Sequence, residues 1–143
     1  MDAAALVGSM VAAIDRGDAV GYAAHYAVDG VCHDPVSPAP AQGREAIAAG
    51  AAALVRAFPD LQCTVRSVLA DDDRIAAEVT LDGTNDGPLA TPEGGLPPTG
   101  RPASIEMFVL LERSSEGLVA TSRGYYDVAT VMAQLGLTRQ RRE

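Results

Sequence analysis

The sequence predicts an α+β domain in which helices cover one face of a curved, antiparallel sheet. In the first part of the chain, apolar residues recur at the three-and-four spacing of an amphipathic helix. From residue 61 onward the period changes to two, which is typical of half-buried strands. Helices that come first and strands that follow favour an α+β architecture.

The helices are predicted from this periodicity together with signals at their ends. Asp2, Asp18 and Asp127 stand at N-cap positions, and Gly136 follows the last helix in the position of a C′ glycine. The predicted helices cover residues 3–14, 19–26, 44–58 and 129–135.

The strands are predicted from alternation and from β-branched content. They cover residues 30–33, 61–69, 74–81, 105–112 and 118–126, with turns at 70–73 and 113–117. Residues 83–102 are rich in glycine and proline and lack any periodicity. A loop of this length is predicted to be either a functional lid or a floppy excursion.

Length and composition limit the possible functions. The 143 residues fit a single domain over residues 1–138, with a charged C-terminal tail at 139–143. A net charge of −8 argues against nucleic acid and anionic membranes as partners. No apolar run is long enough to span a bilayer, and the start lacks a basic n-region, so a cytoplasmic protein is expected.

Several kinds of chemistry are not supported by the residues present. The chain has no lysine for a Schiff base, no glycine-rich phosphate loop and no G-x-S-x-G elbow. His25, His33, Cys32 and Cys63 lack the spacing of metal ligands, and the two cysteines are expected to be reduced thiols. We therefore predict neither a metal nor a cofactor.

Asp34 is the first candidate for chemistry. It follows a predicted strand and precedes Pro35, which keeps Asp34 out of the helical region and fixes the direction of its side chain. The alternative interpretation is an Asx-type turn before the proline.

Glu106 is the second candidate, inside "SIEMFVLL", a strand that is otherwise apolar on both faces. Its side of the sheet is shared by Ser104, Phe108 and Leu110, so we expect a partly buried carboxyl with a raised pKa. The alternative is an ion pair with an arginine on a neighbouring strand: Arg66, Arg74 or Arg123.

Two stretches carry a resemblance to known families. Residues 17–43, "GDAVGYAAHYAVDGVCHDPVSPAPAQG", resemble the segment of bacterial ketosteroid isomerases that contains an Asp-Pro-Val step. In the C-terminal half, "LPPTGRP", "EGLV" and "GYYDVATVMAQLGL" are similar to SnoaL-like polyketide cyclases. Both families belong to the nuclear transport factor 2 superfamily, which implies a cone-shaped fold enclosing one pocket.

The resemblance also implies roles for individual residues. Asp34 falls on the general base of the isomerases, and Glu106 falls on their protonated oxyanion-hole acid. Met10 replaces the isomerase tyrosine, and Gly124 replaces the catalytic aspartate of the cyclases. A substitute hydroxyl is expected from Tyr22, Tyr26, Tyr125 or Tyr126. The residues expected to bind substrate are Met10, Tyr22, Tyr26, His33, Phe108 and Tyr125.

These features predict a cofactor-independent cyclase of natural-product biosynthesis. A base and a neutral acid on either side of a bulky, apolar, oxygenated substrate would catalyse ring formation. The alternatives are a double-bond isomerase of the ketosteroid type and a non-catalytic member that binds a small apolar molecule. A homodimer is expected, and the non-catalytic alternative includes a member that simply dimerises through the outer face of its sheet.

Overall fold

The computed structural model describes residues 1–92 and 94–138, and the predicted charged tail lies outside these ranges. The helices are α1 (Ala3–Asp15), α2 (Ala19–Ala23), α3 (Gly43–Ala57) and α4 (Val128–Gln134). The strands are β1 (Tyr26–His33), β2 (Ala41–Gln42), β3 (Gln62–Asp71), β4 (Arg74–Thr84), β5 (Leu89–Thr91), β6 (Gly94–Leu96), β7 (Pro102–Arg113) and β8 (Val119–Tyr125). Within the described ranges, no helix is long and apolar enough to cross a bilayer. The predicted α+β class is confirmed.

The helix caps follow the sequence signals. The carboxylates of Asp2, Asp18 and Asp127 accept hydrogen bonds from the amides of Ala5, Gly21 and Thr130, three residues downstream in each case. Each bond satisfies a backbone donor that the first helical turn leaves without a partner. The second helix ends earlier than predicted, because the chain turns and enters β1 at Tyr26.

Six strands form one curved sheet in the order β2-β1-β8-β7-β4-β3. The prediction of an antiparallel sheet is wrong at one junction, since β1 and β8 run parallel. The other four pairs are antiparallel. Local patterning specifies which residues are extended, but it does not specify that the first strand lies beside the last.

Strand β1 begins four residues before the predicted start, and Gly30 makes this possible. Tyr26 pairs with Val119, after which the register shifts before pairing resumes at Val31. A Cβ atom at Gly30 would lie 3.0 Å from the Ala27 carbonyl oxygen and 3.2 Å from that of Val119. A side chain at this position would crowd both backbone oxygens, so glycine is favoured where the chain passes this close to β8, next to the fully buried Tyr26.

The helices cover one face of the sheet, which we call the inner face. On β4 the side chains of Ile75, Ala77, Val79 and Leu81 point inward and are buried with the apolar residues of α1 and α3. The alternate residues of the same strands form the outer face. The described residues therefore form two layers, and within them no helix covers the outer face of the sheet.

The segment predicted as a long loop is partly ordered by Asn85. Its side-chain amide donates to the carbonyls of Ala57 and Gly87, and its side-chain oxygen accepts bonds from the amide and hydroxyl of Thr99. Asn85 is fully buried, and its backbone also bonds Arg101 and Gly100. The two ends of the segment are therefore pinned together, and a short hairpin of β5 and β6 lies between them.

Candidate active site

Asp34 lies directly after β1 and forms the turn that the alternative interpretation proposed. Its Oδ1 atom accepts a hydrogen bond of 2.9 Å from the Val36 amide, and its carbonyl accepts one of 3.2 Å from Ser37. Oδ2 makes no hydrogen bond within the described part of the chain. The residue is exposed, so this second oxygen can accept a proton from a bound molecule.

Three hydroxyl groups form a continuous hydrogen-bonded chain inside the domain. The Tyr22 and Tyr26 hydroxyl oxygens are 2.8 Å apart, and the Tyr26 hydroxyl lies 2.8 Å from Ser122 Oγ. The two rings meet edge to face at a centroid distance of 5.5 Å. Tyr26 and Ser122 are buried, whereas Tyr22 is half-buried and forms one end of the chain.

The electrostatics of the inner face keep its tyrosine hydroxyls protonated. Burial is the largest cause that raises the pKa of Tyr22 and of Tyr26 well above the ordinary value. Burial also raises the pKa of Tyr126 to about 12, and the negative charge of Asp34 adds to the effect on Tyr126 and Tyr22. The charge of Asp34 therefore affects the hydroxyls of both Tyr22 and Tyr126.

A contact between Ser9 and His25 connects α1 to the segment that carries Tyr22. His25 Nε2 lies 2.7 Å from Ser9 Oγ, and His25 Nδ1 lies 3.1 Å from the carbonyl oxygen of Tyr22. When Nδ1 carries the proton and donates to that carbonyl, Nε2 accepts the bond from Ser9. The pair thereby ties α1 to the backbone that carries Tyr22.

The structure separates Glu106 from Asp34. Glu106, Phe108 and Tyr125 lie on the outer face, where they line a groove of about 410 Å³ together with Arg66. The expectation of a partly buried Glu106 is wrong, because the side chain is exposed. An ion pair with an arginine is not formed within the described residues either, since Arg66 Nε donates to Thr80 at 3.0 Å.

The remaining predicted residues divide between the two faces. Met10 is buried in the core with Tyr26, whereas His33 pairs in register with Arg123 and lies on the outer side. A second groove, of about 640 Å³, contains Asp60 and Asp82 and does not include Asp34. Of the eight predicted site residues, Met10, Tyr22 and Tyr26 lie on the inner side, and Asp34 lies in the exposed turn after β1.

A scan against protein-family models matches residues 4–135 to the SnoaL-like polyketide cyclases. The chain belongs to this family. The comparison with curated proteins returned no match.

Solved structures agree with the family match. IdmH from Streptomyces antibioticus, a proposed polyketide cyclase, is 25% identical over 95% of this chain and 99% of its own, with a TM-score of 0.73. AclR from Streptomyces galilaeus, a proposed hydroxylase, is 28% identical over 95% and 96%, with a TM-score of 0.76. A hypothetical protein from Catenulispora acidiphila with a ketosteroid isomerase-like fold is 22% identical over 93% of both chains, with a TM-score of 0.77.

Gly124 stands where the resemblance to SnoaL-like cyclases implies an aspartate, and the space around it would accept a side chain. It pairs with Val109 on the inner side of the sheet, where a Cβ atom would make ordinary contact with Met107 Sδ at 3.7 Å. The absence of a side chain is therefore not forced by crowding. Asp34 is the carboxylate whose charge reaches the inner hydroxyls.

Sequence reasoning missed Ser122 and Ser9. Ser122 lies on a predicted strand. Alternation along that strand predicts that Ser122 lies on the opposite face from Arg123 and Tyr125. Its tyrosine partner lies 96 positions away, and no local signal identifies that contact. No group of three or more metal-binding side chains occurs within the described ranges.

Proposed function

We propose that this SnoaL-like protein is a cofactor-independent cyclase that closes a ring in a polyketide-type substrate by acid–base catalysis. The observation that carries the proposal is the chain of three hydroxyls that ends at Tyr22, together with the Asp34 carboxylate, whose charge adds to the raised pKa of Tyr22 and whose Oδ2 makes no hydrogen bond within the described residues. Family membership and the likeness to IdmH support the reaction class.

Asp34 acts as the general base. An extended turn fixes its carboxylate, and the Val36 amide holds Oδ1, so Oδ2 faces the substrate. The proton to be removed is a C–H next to a carbonyl group, because removal there produces an enolate whose charge a hydrogen-bond donor stabilises.

Tyr22 supplies that donor. When Ser122 donates to Tyr26 and Tyr26 donates to Tyr22, the proton of Tyr22 is free to bond the enolate oxygen. The raised pKa of Tyr22 keeps the hydroxyl neutral at physiological pH, so it donates a proton to the hydrogen bond without being ionised itself. Successive hydrogen bonds polarise one another and strengthen the terminal one.

The reaction needs no external reactant. The C–H proton moves to Asp34, and the enolate carbon forms a bond to a second carbonyl carbon of the same molecule. The resulting alkoxide takes the proton back from Asp34, which leaves the mass unchanged. The apolar surroundings of Met10 and the polar chain together suit a bulky, apolar, oxygenated substrate.

Solvent deuterium exchange tests the proposal without knowledge of the natural substrate. Aryl 1,3-diketones of increasing size are incubated with the protein in D₂O, and deuterium uptake at the acidic carbon is followed by NMR and mass spectrometry. We expect protein-dependent uptake that Asp34→Asn abolishes. In H₂O, a substrate that carries a second ketone should undergo ring closure without a change of mass. Binding without uptake would contradict catalysis.

The same assay separates the alternatives. A β,γ-unsaturated ketone that becomes conjugated would show an isomerase, by a rise in ultraviolet absorbance. A gain of one oxygen atom would indicate a hydroxylation, the activity proposed for AclR. Either result would replace ring closure as the function.

A further inference from the structure

His25 forms hydrogen bonds with two of the segments that carry the hydroxyl chain and is adjacent in sequence to the third. Its Nδ1 atom lies 3.1 Å from the Tyr22 carbonyl oxygen, and its backbone amide donates to the same oxygen at 3.2 Å. Its own carbonyl accepts a bond of 2.9 Å from the amide of Val119, on the strand that carries Ser122. Tyr26 follows His25 directly in the chain. One residue therefore links the three segments that carry the hydroxyls.

Tyr22 depends on contacts of this kind because its own helix is short. Helix α2 has five residues, and a helix of this length has little stability without tertiary contacts. The chain leaves the helix one residue after Tyr22 and enters β1 at Tyr26. The position of the Tyr22 side chain relative to Tyr26 therefore depends on the turn between them, which contains His25.

The opposite nitrogen of the imidazole is bound to α1. His25 Nε2 lies 2.7 Å from Ser9 Oγ, and both side chains are half-buried. A carbonyl oxygen can only accept a hydrogen bond, so Nδ1 carries the proton that bonds Tyr22, and Nε2 of the neutral ring accepts from the Ser9 hydroxyl. Helix α1 has 13 residues and packs its apolar side into the core. The imidazole therefore connects a long, packed helix to the carbonyl of Tyr22.

Tyr26 is held in place independently of this contact. Arg44, in the first turn of α3, donates from Nε to the Tyr26 carbonyl oxygen at 2.8 Å. Tyr26 is also fully buried and pairs with Val119 in the sheet. Loss of the His25 contact would therefore displace Tyr22 relative to a fixed Tyr26, and the contact of 2.8 Å between their hydroxyl oxygens would lengthen.

We propose that His25 is a positioning residue, which holds Tyr22 through Nδ1 where the Tyr22 hydroxyl meets both Tyr26 and the substrate oxygen. A displacement of about 1 Å can lower a rate by about 100-fold even when no reacting group is removed. The expected effect of His25 on turnover rests on the proposed function. Its effect on the contact between the two tyrosine hydroxyls does not.

The tautomer of His25 tests the contact in the unmodified protein. Nitrogen-15 NMR of the histidine-labelled chain, at a pH at which the ring is neutral, should show the proton on Nδ1 and none on Nε2. The chain has two histidines, so His33→Gln assigns the signals of His25. A proton on Nε2 would overturn the proposal, since Nδ1 could then not donate to the Tyr22 carbonyl.

Two amide variants separate the two contacts of the ring. The amide nitrogen takes the place of Nδ1 in His25→Asn and of Nε2 in His25→Gln, so each variant keeps one contact and loses the other. Both should lower the urea midpoint. His25→Gln should also lower kcat for deuterium uptake by about 10-fold with little change in KM, because the displaced donor acts mainly in the transition state. His25→Asn should retain kcat within about threefold.

A further measurement needs no substrate. The hydroxyl proton between Tyr22 and Tyr26 is identified in the proton NMR spectrum of the free protein as the signal that Tyr22→Phe and Tyr26→Phe both displace. His25→Gln should shift this signal and accelerate its exchange with water, whereas His25→Asn should preserve it. An unchanged signal in folded His25→Gln would overturn the proposal, as would equal losses of kcat in the two variants. Absence of uptake by the unmodified protein would contradict the proposed function, and the hydroxyl signal would still decide whether His25 places Tyr22.

Discussion

Successive residues of β7 lie on opposite faces of the sheet, and the two faces have different surroundings. Ile105, Met107 and Val109 point toward the helices, whereas Glu106 and Phe108 point outward. The inner face holds protonated hydroxyls and one nearby carboxylate, while the outer face holds aromatic rings among charges of both signs. A strand that is apolar on both faces thus packs into the core on one side, whereas Glu106 and Phe108 on the other side are exposed.

The largest expected difference between the faces is in catalysis. Asp34→Asn should lower turnover by about two to four orders of magnitude, because the amide cannot accept the proton. Glu106→Gln, the matched change on the outer face, should leave turnover within about twofold, since its side chain is remote from the hydroxyl chain. Deuterium uptake by the diketone substrates measures both. Equal losses in the two variants would place Glu106 back in the reaction.

The hydroxyl chain should show the next largest effect. Tyr22→Phe removes the terminal donor and should lower turnover by about 100-fold, the effect of losing one donor to a developing oxyanion. Tyr26→Phe breaks the chain and leaves buried Ser122 without its partner, so it should also lower the free energy of unfolding by about 1–2 kcal/mol. Urea unfolding and the uptake assay separate these two consequences.

Tyr125→Phe is the control for the hydroxyl chain. It removes a phenol hydroxyl from the outer face and should change neither turnover nor the unfolding midpoint. If Tyr22→Phe behaves in the same way as this control, the oxyanion donor is not Tyr22 and the proposed mechanism loses its acid component.

The sequence predicted elements and caps better than it predicted faces. Carboxylates at positions 2, 18 and 127 specify helix starts locally, because the bond closes over three residues. The face of Glu106 could not be read in this way. Alternation locates a face only when one side is polar, and here Phe108 and Leu110 lie on the same side as Glu106.

Contacts between segments that are far apart in the chain could not be predicted from the sequence either. The parallel junction of β1 and β8, and the contact of Tyr26 with Ser122 that depends on it, join residues 96 positions apart. Tyr22 and Tyr26 were named as candidate hydroxyls from the resemblance, but their mutual bond follows from the turn after α2. The turn at Asp34 was predicted as an alternative to a catalytic role. The hydrogen bond from the Val36 amide uses only Oδ1, so Oδ2 can still serve in catalysis.

The smallest expected effect concerns pH and a thiol on the inner face. Burial, and then the hydrogen bond and charge of Asp15, raise the pKa of Cys63 from 9.0 to about 12. The unfolded chain loses this proton above pH 9, whereas the folded chain keeps it, so stability is complete below pH 9 and falls as pH rises toward 12. Tyr126 adds to the fall between pH 10 and 12 for the same reason.

Cys63→Ser removes the contribution of the thiol, because serine does not ionise in this range. The urea midpoint of this variant, referred to its own value at pH 7, should therefore decrease less between pH 8.5 and 10.5 than that of the unmodified chain. Parallel curves would show that the Cys63 thiol ionises with equal ease in the folded and unfolded chains, and that burial on the inner face does not protect it.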